Sequence, residues 1–419
     1  MRETRSPALS SPLVADQSLG ARVGQIVRDG LVLSAARAST AAATFIIAWI
    51  FARLGTAEVF GQYQYIRAIL GALAVVTFPG MNVAIAQAAA RGHLGTLLPA
   101  TRQRFRAALA GSLLLVALAV VFFVRGQRGV AGSLLVAAPL FPVASVSDAY
   151  LGQLSGQMAF QVLSIAQMTA ALGPTVPVAL VLLAGLPLPW IVVAALLGAI
   201  LPHVAFFLAT VRRIPATARS DDSSLVYGRR VSGVYAIGIL HAHAASLVVG
   251  TLLDHVNLAV FAVASVWGEL LKQGMALVNA QLFPRLAAAA PRDALRLFRR
   301  TTAAGLGIVA AVGGGVILAV PVVMGYLFPP MYRESVPYAQ ILVAGMIVAF
   351  VGNQVNTYFS ARARAFPQYA LGLSNFLVEV VFLVVLVPSY GLLGAVLART
   401  IGRVWHSIYG WWLVRREGK

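Results

Sequence analysis

Residues 256–286 read VNLAVFAVASVWGELLKQGMALVNAQLFPRL. The run is apolar and long enough to cross a bilayer, which takes about 20 residues at about 1.5 Å rise each. Glu269 and Lys272 sit near its middle, three residues apart and so on one helical face. A charge at the centre of a bilayer costs roughly 2.5–3.5 kcal/mol on insertion scales. Such residues face a protein interior or a water-filled cavity. The stretch therefore predicts a chain whose other helices wall a hydrated cavity.

Composition agrees. Of 419 residues, 59% are hydrophobic and 11% charged, and mean hydropathy is +0.84, whereas a soluble domain carries about 25% charged residues. The expected class is an all-α integral membrane protein. There is no Cys, which excludes disulfides and thiolate metal sites. Met1 to Gly30 is polar and basic and lacks the short apolar core of a cleavable signal, so no signal peptide is expected. A net charge of +19 would suggest nucleic acid in a soluble protein. In a membrane chain it is the positive-inside bias, and no nucleic-acid partner is expected.

Apolar runs fall at 31–53, 60–87, 104–124, 130–153, 158–184, 188–211, 230–253, 256–283, 302–327, 336–360, 369–388 and 391–413, which makes about twelve helices. Pro79, Pro139, Pro142, Pro174, Pro177, Pro202 and Pro321 fall inside them, as cavity-lining membrane helices tolerate. With the N-terminus placed in the cytoplasm, that side collects Arg2, Arg5, Arg22 and Arg28, then Arg91 with Arg102, Arg104 and Arg106, the linker arginines from Arg212 to Arg230, Arg285 to Arg300, Arg362 with Arg364, and Arg415, Arg416 and Lys419. The opposite side holds Arg53, Arg125, Arg128 and Arg333. Both termini are thus expected in the cytoplasm, in the inner membrane of a cell. The expected organisation is a tail at 1–30, a six-helix lobe at 31–211, a cytoplasmic linker at 212–229, a second six-helix lobe at 230–413 and a tail at 414–419. Residues 57–71 and 254–268 hold equivalent places in the two halves. Repeated halves about a midplane site are a common transporter plan.

The bases inside predicted spans are Arg37, Arg67, Lys272, Arg399 and Arg403, and the acids are Asp148, Glu269 and Glu379. The lumen is therefore read as cationic. Arg37 and Arg67 either snorkel or pair across helices, or face an anionic ligand, because guanidinium binds phosphate in a planar, bidentate way. Glu269 and Lys272 either neutralise one another or exchange partners with a substrate phosphate. Arg399, Arg403 and His406 share one face, either lining the lumen or reaching headgroups. Asn375 and Glu379 stand four apart and, with Thr400, make either a structural pair or a site for Na⁺ or a proton. His241 and His243 form an H-x-H that cannot share one helical face. Metal ligation is not expected there, and one of the two histidines facing the lumen would titrate near neutral pH. Asp148, between Ser145 and Ser147, is a further lumen candidate. No P-loop, HExxH or GxSxG is present, and the short external loops offer no nucleophile, base and oxyanion site. No enzymatic activity or bound cofactor is expected.

Several motifs carry a resemblance to a known family. Residues 58–63, EVFGQY, follow the first span; residues 277–286, LVNAQLFPRL, end the eighth; residues 327–341, LFPPMYRESVPYAQI, form a Tyr-containing external turn; residues 388–396, PSYGLLGAV, open the last span. In order and spacing the chain resembles the polysaccharide transporter (O-antigen flippase) branch of the multidrug/oligosaccharidyl-lipid/polysaccharide (MOP) superfamily. The resemblance implies two six-helix lobes in an inverted V, rocking around a cationic cavity. It implies a polyprenyl-pyrophosphate-linked oligosaccharide as substrate, the bilayer and polysaccharide polymerase machinery as partners, and a monomer. It places Arg37, Arg67 and Lys272 where relatives engage the pyrophosphate, and Asn375 and Glu379 where some bind Na⁺, but without the acid those relatives carry in span 7. Two rivals stand beside the flippase. A multidrug/cation antiporter of the same superfamily is opposed by the cationic lumen, and a membrane glycan polymerase by the short external loops.

Overall fold

The computed structural model describes residues 19–362 and 364–417. Among them every regular element is helical. That is what a bilayer demands, because a backbone without water must satisfy its hydrogen bonds internally. The N-terminal half comprises α1 (Leu19–Leu54), α2 (Ala57–Leu73), α3 (Met81–Ala90), α4 (Leu97–Val124), α5 (Arg128–Val146), α6 (Tyr150–Gly156), α7 (Phe160–Leu172), α8 (Thr175–Leu183) and α9 (Leu188–Val211). The C-terminal half comprises α10 (Asp222–Leu252), α11 (His255–Ala288), α12 (Pro291–Leu327), α13 (Ser335–Ala361) and α14 (Ala365–Glu417). Ten helical segments among the described residues are long and apolar enough to cross a membrane. This is a multi-pass membrane protein.

The boundaries shift from expectation at two places. Helix α1 starts at Leu19, inside the segment expected as a tail; residues 1–18 of that tail, with Arg2 and Arg5, lie outside the described residues, as does Lys419. Helix α10 starts at Asp222, inside the segment expected as linker. The reason is a cap: Asp221 accepts from the amides of Ser223 and Ser224 at 3.0 and 3.4 Å, satisfying donors that a helix start leaves open.

In the N-terminal half three of the membrane-length segments are broken, while α1, α4 and α9 are continuous. Phe78, which precedes Pro79, takes a left-handed conformation with φ 53° and separates α2 from α3; the residue before a proline is disfavoured in the right-handed helical region. Asp148 lies in the turn between α5 and α6, and Gly173–Pro174 in the one between α7 and α8. Pro139, Pro142, Pro202 and Pro321 instead lie inside continuous helices. In the C-terminal half α10 to α13 run unbroken, and α14 is divided only at Gly391, whose φ of 56° and ψ of −134° suit glycine.

The halves meet along α1, α2 and α3 on one side and α10 and α11 on the other. One buried apolar cluster runs through both, with Phe51, Phe60 and Tyr63 stacked in the N-terminal half and Phe261, Trp267 and Phe350 in the other. Phe45 bridges them edge-on to Trp267 at 6.0 Å and to Phe328 at 5.8 Å. At one end of the seam Arg53 donates to the carbonyls of Leu327 and Tyr326, both at 3.0 Å. There Glu58 pairs with His255 at 3.0 Å and Tyr65 bonds Thr251 at 2.8 Å. Gly61 permits this closure, since a Cβ there would lie 1.7 Å from the His255 carbonyl oxygen. At the other end, the linker end, the Gly80 amide donates to Ser232 Oγ, the Gly95 amide to the Arg219 carbonyl and the Asp221 amide to Thr96 Oγ1.

Candidate functional site

Three cavities contain the charges predicted for the membrane interior, Asp148 excepted. The first, about 420 Å³, lies wholly in the C-terminal half among α10, α11, α13 and α14. Glu269, Lys272, Glu379, Arg399, Arg403 and His241 all line it. Glu269 accepts from Lys272 at 3.1 Å and from Gln273 at 2.8 Å, as its i, i+3 and i, i+4 neighbours on α11 allow. The second, about 430 Å³, is a cleft where Arg37 and Ser34 of α1 face Gln273 and Gly274 of α11. The third, about 290 Å³, lies among α1, α2, α7 and α9; Arg67 is its one charged group, 5.8 Å from the Tyr63 ring centroid. Arg37, Arg67 and Lys272 therefore line three different cavities. Arg37 and Arg67 have no acid partner among the described residues.

Asn375 and Glu379 are brought together, with His241 as their partner. His241 Nε2 is 2.6 Å from Glu379 Oε2 and 3.4 Å from Asn375 Nδ2. Glu379 is only 2% exposed. Its Oε1 and the Oδ1 of Asn375 are buried without a hydrogen-bond partner. Gly402 of α14 leaves room for the pair: a Cβ there would stand 3.1 Å from Asn375 Oδ1. Thr400 is not part of this cluster. Its hydroxyl donates to the Val396 carbonyl at 2.9 Å and its side chain lies against Gly345 of α13. His243 points elsewhere, its ring packed against Gly71 of α2 within electrostatic reach of Arg67 and Arg399. The H-x-H spacing thus sends one imidazole into the C-terminal cavity and the other to the seam.

Asp148 lies outside all three cavities. It accepts from Arg104 Nη1 at 2.9 Å and from Asn82 Nδ2 at 3.3 Å. Arg104 also donates to Asn82 Oδ1 at 2.7 Å and to the Ser145 carbonyl. Arg104 was expected among the cytoplasmic loop bases; it is instead inside α4 and 4% exposed. The apolar run begins at that residue, so hydropathy could not tell a loop base from a buried one. Residues without a charge signal were also missed. They are Asn356, which lies 3.1 Å from the already singled-out His406 in the first cavity, and Asn353, Gln368 and Tyr369, which line it too.

Outside the spans, Ser223 and Ser224 hydrogen bonds hold the Asp221 carboxyl well below the usual carboxylate range. At the end of α14, Arg416 lies 3.8 Å over the Trp412 ring, the arrangement of an interfacial anchor.

A family model described as polysaccharide biosynthesis protein matches residues 50–337. No curated protein sequence matches. Among solved structures, the lipid II flippase MurJ in an inward closed conformation is similar with a TM-score of 0.70 and 12% identity, over 92% of this chain and 87% of that one. An inward-facing MATE family multidrug resistance transporter of the MOP superfamily gives 0.67 and 14%, over 93% and 98%. A MOP superfamily transporter from Pyrococcus furiosus, described by a binding pocket of reverse polarity that suggests a different function, gives 0.59 and 15%, over 93% and 95%. At these identities the likeness shows the fold, which is that of the MATE and MurJ transporters.

Proposed function

The chain belongs to the polysaccharide biosynthesis protein family, and from that premise we propose that it is a flippase. Its cargo is an oligosaccharide on a polyprenyl pyrophosphate, carried from the inner to the outer leaflet of the cytoplasmic membrane without a covalent step. One observation carries the reading: the membrane interior holds bases without acid partners among the described residues, Arg37 and Arg67, while Glu269 and Glu379 are each already engaged. A carrier pyrophosphate is the anion that such guanidinium groups fit. A cationic drug would find no free carboxylate of that kind, which favours the flippase over the antiporter.

Twelve crossings follow if α14 counts as two limbs about Gly391 and α11 joins the other apolar helices. The linker end, which carries Arg91, Arg212, Arg213 and Arg219, then faces the cytoplasm. The seam closed by Arg53 and the Glu58–His255 pair faces outward. Because Arg37, Arg67 and Lys272 line separate cavities, they act on the pyrophosphate in succession and not as a single clamp. Arg37 in the α1–α11 cleft meets it first, and the polyprenyl tail stays in lipid. The coupling ion is a proton, since the His241 imidazole, 2.6 Å from Glu379 Oε2, already occupies the place where a metal ion would have to sit. Transport that collapses with the proton gradient and persists without Na⁺ supports this; the reverse dependence overturns it.

The deciding experiment is lipid extraction and mass spectrometry on cells lacking the gene. Build-up of a polyprenyl-pyrophosphate oligosaccharide with loss of a surface polysaccharide is expected. Unchanged lipids and glycans would refute the flippase, and single repeat units stranded on the outer leaflet would indicate a polymerase.

A further inference from the structure

Two guanidinium groups in the C-terminal half have no task in the pyrophosphate path just described. Arg399 and Arg403 stand one turn apart on α14, and both line the cavity of about 420 Å³. The acids of that cavity are spoken for: Glu269 by Lys272 and Gln273, Glu379 by His241. Neither arginine has a carboxylate within salt-bridge distance among the described residues.

Both are held in place by other means. Arg403 reaches between α11 and α13 and donates one N–H to the Leu342 carbonyl at 2.7 Å. It passes beside Gly345, where a Cβ would stand 3.4 Å from Nη1. Arg399 lies over the Phe261 ring, 5.9 Å from the centroid, and makes no hydrogen bond to a described residue. A cation–π contact orients a guanidinium without consuming its donors. Arginine does not shed its charge in proteins, so two guanidinium groups one turn apart repel until an anion lies between them. Their free N–H groups match the oxygens of a carboxylate or a phosphate.

The rest of the cavity suits a sugar. Asn353, Asn356, Gln368 and Tyr369 bring amide groups and a phenol to the same space, the donors and acceptors that fix hydroxylated ligands. We propose that Arg399 and Arg403 form an oxyanion subsite within a saccharide-binding cavity, separate from Arg37 and Arg67 and sharing that cavity with Lys272. The oxyanion is the carboxylate of an acidic sugar or a phosphate of the carrier. The proposal rests on the flippase reading only for the nature of the cargo.

The test uses purified full-length protein at low salt, with glucuronate, inorganic pyrophosphate and neutral glucose as probes in calorimetric titrations. The wild type binds at least one of the two anions. Arg399→Gln/Arg403→Gln weakens that binding about tenfold or more, while Arg125→Gln, an exposed position outside the three cavities, leaves it within about twofold. Loss confined to glucuronate assigns the subsite to an acidic sugar, loss confined to pyrophosphate to the carrier, and loss of both to a subsite that takes either. Undiminished binding of both anions by Arg399→Gln/Arg403→Gln, or no binding of either by the wild type, overturns the proposal. A second measurement needs no variant: phenylglyoxal labelling of the wild type, mapped by mass spectrometry. The bound anion should protect Arg399 and Arg403; full labelling at saturating anion overturns the assignment. Neither readout requires transport, so the subsite fails independently of the flippase, which is judged on lipid build-up in cells.

Discussion

The two halves of the molecule cross the bilayer with different helices. The N-terminal half breaks its helices at Phe78, at Asp148 and at Gly173–Pro174, and the C-terminal half runs α10 to α13 without interruption. Their charges differ in the same sense. In the N-terminal half the intramembrane acid is closed into a knot with Arg104 and Asn82 beside a helix break. In the C-terminal half Glu269, Lys272, Glu379, Arg399 and Arg403 face a common cavity. A helix break frees backbone groups that need partners, and Arg104 meets that need directly by donating to the Ser145 carbonyl. Unbroken helices make no such demand, and in that half the charges of α11 and of both limbs of α14 gather around one cavity.

The sharpest way to break this contrast is Arg104→Ala. It leaves Asp148, Asn82 Oδ1 and the Ser145 carbonyl without their shared guanidinium at the α5–α6 turn, and loss of these three hydrogen bonds costs about 2–4 kcal/mol. A large drop in melting temperature of the purified protein is expected; an unchanged melt would mean that the N-terminal half does not depend on the knot. His241→Ala is the counterpart in the other half. It should cost less, about 1–3 kcal/mol, because His241 holds two groups, Glu379 and Asn375, where Arg104 holds three. It should nonetheless stop transport. Adding Glu379→Gln should restore stability but not transport; recovery of transport would make the pair structural, like that of the N-terminal half.

The seam offers a prediction of intermediate size. The chain has no Cys, so Glu58→Cys/His255→Cys introduces the one thiol pair. Oxidation should arrest transport and a reductant should release it. Transport that continues while the pair stays oxidised would show that this end of the seam need not open. The smallest effect belongs to Asp221→Ala, which removes the cap of α10. The Asp221 carboxyl is held below the carboxylate range when folded, so its contribution is complete above the unfolded value near 3.8 and fades only as pH falls through the depressed folded value. The variant should lower the melting temperature slightly at neutral pH and lose its difference from the wild type only in strong acid.

Much of the fold was legible in the sequence because hydropathy acts locally: each apolar run becomes helical, whole or in two pieces. Prolines were less legible. Pro79 and Pro174 stand at breaks, while Pro139, Pro142, Pro202 and Pro321 are absorbed into continuous helices. What decides is whether neighbouring helices meet the freed carbonyl, which the proline's own context does not reveal. The site was legible as an inventory of charges and not as pairs. Glu269 and Lys272 could be paired in advance because they share a helix. Glu379 and His241 are 138 positions apart, and the partner expected for Glu379, Thr400, turned to its own backbone instead.

By itself, then, the sequence determined that this chain is a helical membrane protein, roughly where its helices run and which charges the bilayer must hide, because those follow from composition and from spacing along one helix. Only the tertiary structure decided which charge meets which. It sent His241 to Glu379, shut Arg104 and Asp148 into a knot and left Arg399 and Arg403 facing an open cavity. The physical reason is that the cost of a buried charge depends on what stands within a few ångströms of it, and in a bundle those neighbours come from other helices.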